Sequence, residues 1–321
     1  MLCPQLIVEA RNMRTFDPDA LECLASIVEA GGFERAAVRL SVTQSAVSQR
    51  LRALEAQIGT VLLVRSRPVK PTAAGQLLIK HALQMRLLRA DLETDLQDLT
   101  PATQGAREAE RVAIAVNADS IATWVLPAVS PLISEGLPLE IITDNQDFTH
   151  EWLREGQVLG CVTTLKQALR GCKVLPLGDM RYVAVASADY ARQYCPQGLT
   201  RHNFRDLAFV AFNRKDDLQA EFVGRACGLR HVTLSQRFVP SSEGQVRAVL
   251  AGWGVSVVPE MLVRDRLHSG DLVNLVPQLT LPVRLYWHCW NLDSDVIARL
   301  TSALEAAAQQ ALGRSAQRIA D

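Results

Sequence analysis

The amino-acid sequence predicts an α + α/β chain. A winged helix-turn-helix opens it, a long linker helix follows, and an α/β region of about 210 residues closes it. Three observations carry this reading. Between Gly32 and Thr72, two short helical patterns are joined by a tight turn and followed by two short strand patterns. From Thr72 to Leu99, apolar residues recur every seven. From Arg111 onward, strand-like and helix-like segments alternate, as a doubly wound sheet requires.

At 321 residues and 48% apolar content, the chain can bury the cores of two or three domains. Aromatic residues make up only 5%, which disfavours stacking platforms for single-stranded nucleic acid. The net charge of zero hides an uneven distribution. From Phe33 to Arg89, ten Lys or Arg stand against two acids, Glu34 and Glu55. Such a stretch reads either as a polyanion-binding surface or as a solvated basic face. The seven cysteines are dispersed, without a Cys-x-x-Cys or a Cys/His set at zinc spacing. They read as free thiols in a reducing cytoplasm, with no metal or cofactor. Neither a signal peptide nor an apolar run of the roughly 20 residues a membrane span needs is visible. Nucleophile elbow, P-loop and metal-ligand spacings are also missing, so the expectation is that the chain is not an enzyme. Residues 1–12 fit no element and read as an over-extended start or a loose arm, leaving translation to begin at Met1 or Met13.

The first helix is expected over Asp17–Ala30, with Leu21, Leu24, Ala25 and Val28 on one face. Asp17 suits its cap, Pro18 its first turn and Gly31-Gly32 its end. The second helix offers Phe33, Ala36, Ala37 and Leu40 to the core, the two small residues allowing a close crossing. The third buries Val47, Leu51, Leu54 and Ile58, and its other face carries Thr43, Gln44, Ser45, Ser48, Gln49, Arg50 and Arg52. Gln44 and Gln49 can each present a donor and an acceptor to adenine N7 and N6, and Ser45 and Ser48 can meet a base or a phosphate. Arg50 and Arg52 read as phosphate clamps that fix register. Thr43 suits a cap, and capping alone is the competing role for Gln44 and Ser45.

Val61–Val64 and the return through Arg65-Ser66-Arg67-Pro68-Val69-Lys70-Pro71-Thr72 read as a wing. Arg65, Arg67 and Lys70 suit a flanking minor groove or its phosphates; the competing reading is a solvated hairpin. In the linker helix, 73–99, Leu78, Met85, Leu92 and Leu99 form the heptad, with Ala82, Leu88 and Leu96 between them. This reads as a short coiled-coil seam that makes a dimer, since two half-sites need two reading heads, or else as packing on the chain's own domains. A polar hinge is expected over 100–110. Strands are expected at Arg111–Val116, Leu139–Thr143 and Val158–Thr163, and helices at Ile121–Leu132 and Glu151–Glu155.

The segment Phe33 to Thr72, the helix after it and the α/β region together resemble the LysR-type transcriptional regulators. The likeness covers nearly all of the chain from Met13. Within that family, Gly32-Phe33-Glu34-Arg35-Ala36-Ala37, Thr43-Gln44-Ser45-Ala46-Val47-Ser48-Gln49-Arg50, Ala115-Val116-Asn117-Ala118-Asp119-Ser120, Ala122-Thr123-Trp124, Ser241-Ser242-Glu243 and Leu285-Tyr286-Trp287-His288 look like the ArgP branch, which responds to lysine and arginine. Many family members carry Arg at the position of Gln49 and Gln at the next; the order here is that of the ArgP branch. The resemblance implies a winged helix-turn-helix at 13–72 and a two-lobed effector domain resembling a periplasmic binding protein. Lobe I would comprise 111–163 and 269–321, and lobe II 164–268. It further implies assembly as a homodimer or homotetramer, contact with RNA polymerase, cytoplasmic residence on the nucleoid, and control of basic amino-acid export, by activation.

Ligands of open α/β sheets gather at the carboxyl ends of strands, beside helix N-termini. Asn117-Ala118-Asp119-Ser120 and Ser241-Ser242-Glu243 meet that rule, the latter with Ser242 and Gln245 at capping-box spacing. Asn117, Asp119, Ser120, Thr123, Asp144, Thr163, Ser242 and Glu243 are the candidate effector contacts, with Asp216 and Asp217 as weaker ones. Acids would hold the cationic groups of a basic amino acid, and backbone N–H groups its carboxylate. Each acid also has a plainer role: a helix cap for Asp119, a turn for Asp144, a solvated first-turn acid for Glu243. Trp124, Trp287 and His288 read as core. The alternatives are a regulator of the same family with another pathway and effector, or an architectural or replication-origin DNA binder.

Overall fold

The structure, a computed structural model, describes residues 15–64, 66–99, 111–144 and 147–312. The N-terminal arm, Arg65 and the hinge 100–110 lie outside the described residues. The chain divides into two compact units between Gln104 and Gly105.

In the first unit, α1 (Pro18–Glu29) begins as expected: Asp17 accepts the Asp19 N–H at 3.0 Å and Pro18 occupies the first turn. It is buried more widely than one face. Ala20, Leu21, Cys23, Leu24, Ala25, Ser26 and Ile27 are all inside, because α1 packs on the other three helices of the unit. Ala36 and Ala37 of α2 (Phe33–Arg39) are buried, and Ser41, at φ 53°, makes the left-handed turn into α3 (Gln44–Ile58). Val47, Leu51 and Leu54 of α3 face the core, each contributing about 1.5–3 kcal/mol by leaving water. The wing strands β1 (Leu63–Val64) and β2 (Lys70–Pro71) pair antiparallel, a shorter ladder than the sequence suggests. Glu55 of α3 accepts the Leu62 N–H at 2.9 Å, tying the wing to the third helix.

Thr72 caps the linker helix α4 (Ala73–Leu99) by accepting the Gly75 N–H at 3.1 Å. A Cβ on Gly75 would sit 2.1 Å from the Leu62 carbonyl oxygen, so any side chain there forces the backbone to shift. The heptad of α4 is split in use. Leu78, Ile79, Ala82, Leu83 and Met85 pack on the core of their own unit, whereas Leu88, Leu92 and Leu96 are exposed. The exposed part of the periodicity thus starts at Leu88, about three turns beyond Leu78.

The second unit is built on a seven-stranded mixed sheet of order β10-β6-β11-β5-β3-β4, with β9 on the other side of β6. The strands β3 (Val112–Asn117), β4 (Leu139–Asp144) and β5 (Gly160–Thr163) are parallel. Two long strands, β6 (Cys172–Ser187) and β11 (Leu281–Trp290), pair antiparallel along the whole of β11. The register slips between Leu285 and Tyr286 of β11. The distal half of β6 pairs with β9 (Ser256–Pro259) and β10 (Leu272–Asn274). Leu272–Asn274, just after the boundary at Ser269 drawn from sequence, thus pairs with β6. The parallel pair β7 (Ala208–Ala211) and β8 (Ser235–Phe238) joins through the Phe209–Val255 bridge.

The helix expected over Ile121–Leu132 spans Ala118–Ser134, as α5 (Ala118–Ser120), a π-turn (Ile121–Val125) and α6 (Leu126–Ser134). The wide turn falls just before Pro127, which has no N–H to continue the ladder. The helix expected at Glu151–Glu155 is α7 (Thr149–Arg154). The remaining helices are α8 (Ala188–Tyr194), α9 (Leu218–Cys227), α10 (Ser242–Leu250), α11 (Glu260–Ser269) and α12 (Asp295–Ala311). Trp124, Trp287 and His288 are core residues, Trp287 donating to Thr301 Oγ1 at 3.0 Å.

Candidate functional site

In the first unit, α3 presents an exposed polar ridge. Thr43 caps the helix, accepting the Ala46 N–H at 3.2 Å, and its hydroxyl is 2.9 Å from that of Ser45. Gln44 Nε2 donates to Ser48 Oγ at 3.1 Å. Gln44, Ser45, Gln49 and Arg52 are exposed and Ser48 is half-buried, so donors and acceptors line one outward face. Arg67 and Lys70 stand exposed on the wing.

Arg50, read from sequence as a phosphate clamp, has partners within its own unit. Its guanidinium turns back onto α1, 3.3 Å from Asp19 and 3.8 Å from the buried Cys23 sulfur. The reason is helical spacing: Val47 and Leu51 bring that flank of α3 against α1, away from the ridge. The basic character of the unit is reduced in the same way. Glu29 pairs with Arg39 at 2.5 Å. Arg86 of α4 reaches Glu22 at 2.6 Å and Glu29 at 2.9 Å. Thus α1, whose acids precede the basic stretch in sequence, takes up one arginine from each of the other helices.

In the second unit, the carboxyl end of β3 meets the N-terminus of α10. Asp119 accepts two hydrogen bonds, from Ser242 Oγ at 2.6 Å and from Tyr182 OH at 2.7 Å. Beside it is a cavity of about 30 Å³ lined by Asn117, Asp119, Asp144, Phe212, Asp216 and Gln245 among others. That space holds about one water, so an amino acid needs the walls to part. Asn117 is buried with neither its amide oxygen nor its nitrogen hydrogen-bonded, and Ser120 Oγ is likewise unsatisfied among the described residues. Asp144 accepts the Trp152 indole N–H at 3.1 Å. Asp216 accepts the backbone N–H groups of Phe212 and Leu218 at 3.0 Å each.

Burial pushes the Asp119 carboxyl above its ordinary value, nearby Asp216 adds to this, and the bonds from Ser242 and Tyr182 oppose it. Asp216 is raised too, by burial and by the neighbouring Asp217 and Asp147, against two backbone donors. Tyr182 is held well above the usual phenol range by burial and by Asp119. Carboxyls gathered this way are held at a cost that a cation would relieve.

Three sequence expectations change. Glu243 is exposed on the first turn of α10 and does not line the cavity, so it is the solvated acid of the plainer reading. Ser241, not Ser242, caps α10, accepting the Gly244 N–H at 3.1 Å; this frees the Ser242 hydroxyl for Asp119. Gln245 does not complete a capping box. Its amide serves the Val239 carbonyl and the Ser256 hydroxyl. Thr123 spends its proton on the Asp119 carbonyl one turn back, at 2.6 Å. Thr163 is buried and accepts the Leu165 N–H at 3.3 Å. Tyr182 escaped sequence reasoning, because a tyrosine within an apolar strand carries no signal of a partner 63 residues away.

Residues 18–76 match the bacterial regulatory helix-turn-helix family of lysR type, and residues 105–311 match the LysR substrate binding domain. The transcriptional regulator ArgP of Photobacterium profundum is 38% identical over 301 residues, covering 94% of this chain and 99% of that protein. The regulator LysG of Mycobacterium tuberculosis is 41% identical over 292 residues, covering 91% and 93%. Among solved structures, ArgP from Mycobacterium tuberculosis superposes with a TM-score of 0.82 at 39% identity, covering 94% of this chain and all of that one. Full-length LysG from Corynebacterium glutamicum, described with bound effector Arg, gives 0.71 at 34% identity, covering 93% and 100%. These relatives are regulators of transcription and not enzymes. Joined to a reading helix with an exposed polar ridge and to an α/β unit with an acid-lined cleft, the matches place this chain in the LysR family of DNA-binding, effector-modulated transcriptional regulators.

Proposed function

We propose that the effector is a basic amino acid, arginine or lysine, and that it sets how the protein engages its operator. The observation that carries this is the gathering of Asp119, Asp144 and Asp216 around one cavity beside the unsatisfied amide of Asn117. Carboxylates suit the ammonium and guanidinium groups of such a ligand, and Asn117, Ser120 and Ser242 suit its neutral hydrogen bonds. The relative solved with bound Arg supports the same chemistry. On the DNA, Gln44, Ser45, Ser48 and Gln49 read base edges, Thr43 supports them as cap, and Arg52, Arg67 and Lys70 hold phosphates. Arg65 belongs with the last group by its place in the sequence, two residues before Arg67.

The exposed Leu88, Leu92 and Leu96 support α4 as the dimer seam, and a homodimer or tetramer would bring two reading heads to paired half-sites. The regulator then works in the cytoplasm on the nucleoid, activates genes of basic amino-acid export and contacts RNA polymerase there. Calorimetry of the full chain with L-arginine and L-lysine tests the effector. Binding of either, together with a changed affinity for a selected duplex, supports the reading, because a ligand shifts an equilibrium only by its differential affinity. Silence from both, with another small acid binding, reassigns the effector.

A further inference from the structure

We infer that Arg50 is a positioning residue for DNA reading, acting through Asp19 to seat the reading helix on α1, and not a phosphate contact. Arg50 lies on α3 among ridge residues, yet its Nη2 is 3.3 Å from Asp19 and its Nη1 donates toward Cys23, which is fully buried. Asp19 sits in the first turn of α1, where the helix dipole favours an acid and Asp17 holds its backbone N–H. The pair therefore ties the middle of the reading helix to the start of the helix behind it. The ion pairs that α1 makes with Arg39 and Arg86 hold α2 and α4 instead. Hydrophobic packing lets α3 slide or roll slightly; a directional pair at one edge sets which ridge atoms meet which base edges. The inference rests on the DNA-binding role of α3, which the family match carries independently of it.

Asp19→Asn separates the two roles by sign. It leaves the Arg50 charge in place and releases it. A phosphate contact so released would bind DNA as well as before or more tightly. A positioning pair so broken weakens operator binding and blurs sequence preference. Full-length parent, Asp19→Asn, Arg50→Ala and the double variant are titrated onto a duplex selected from random sequence by the parent, and onto a scrambled duplex, across a range of salt. Each protein's melting temperature is followed in parallel. The expected result is a loss of about twofold to fivefold in the selected-to-scrambled ratio for each single variant, the range an exposed ion pair supports. The double variant is expected to be no worse than Arg50→Ala, with the salt slope unchanged throughout. Asp19 is largely exposed, so its variant folds even where Arg50→Ala does not. The inference is overturned if Asp19→Asn binds the selected duplex as tightly as the parent or tighter. It is equally overturned if Arg50→Ala lowers the salt slope by about 0.9, or if melting shifts while the ratio holds.

Discussion

Replacing Asp119 by Asn isolates one charge in the cleft while keeping the side chain's shape. Its two partners, Ser242 at 2.6 Å and Tyr182 at 2.7 Å, are hydroxyls that rotate to accept as well as donate, so the amide can still be satisfied. Folding stability should therefore change by only about 1 kcal/mol. A hydrogen bond to a charged group is worth about 1.5–3 kcal/mol, and its loss weakens binding of a cationic amino acid by about 10- to 150-fold. The effect of pH follows from burial, which raises the Asp119 carboxyl above its ordinary value. Folding favours the protonated form, so that contribution to stability is full below the unfolded pKa and is lost as pH rises through the folded one. Binding a cation requires the ionised form, so affinity runs the other way and falls as pH drops through the raised value. Calorimetry with L-arginine across pH, on parent and variant, reads both. An Asn variant that binds arginine within about twofold of the parent at neutral pH, or that keeps the parent's acid limb, refutes the assignment of Asp119 as the cation's partner.

Three further outcomes are expected. Gln44→Ala should lower discrimination among duplexes by about 1–3 kcal/mol with its salt slope intact, whereas Arg67→Ala should weaken all duplexes alike and flatten the slope by about 0.9, both read by fluorescence anisotropy. Gly75→Ala should cost about 1–3 kcal/mol of stability in chemical denaturation, because its new methyl must push the Leu62 carbonyl aside. Leu92→Glu, at a position 57% exposed, should leave the melting of the isolated chain unchanged but shift sedimentation from dimer to monomer; an unshifted assembly would move the interface off α4.

Much of this protein is legible in its sequence because the chemistry that shapes it is local. Capping residues, the small Ala36 and Ala37, the 3.6-residue apolar period of α3 and the Gly75-bearing turn act over a few residues, so they determine the reading head and the start of α4 by themselves. The same holds for Asp119, which lies in the first helical turn after β3. What the sequence leaves undetermined are pairings between distant segments. The arginine at position 50 reads as a ridge residue because the acid that claims it lies on another helix, 31 positions upstream. The basic surplus shrinks because α1 supplies its acids across helices. Glu243 and Ser242 are adjacent in sequence, yet only the packing of α10 against its neighbours turns one to solvent and the other to Asp119. Periodicity shows which side of an element is buried; only the close packing of elements remote in sequence decides which polar group meets which, since a hydrogen bond depends on fractions of an ångström that no spacing rule specifies.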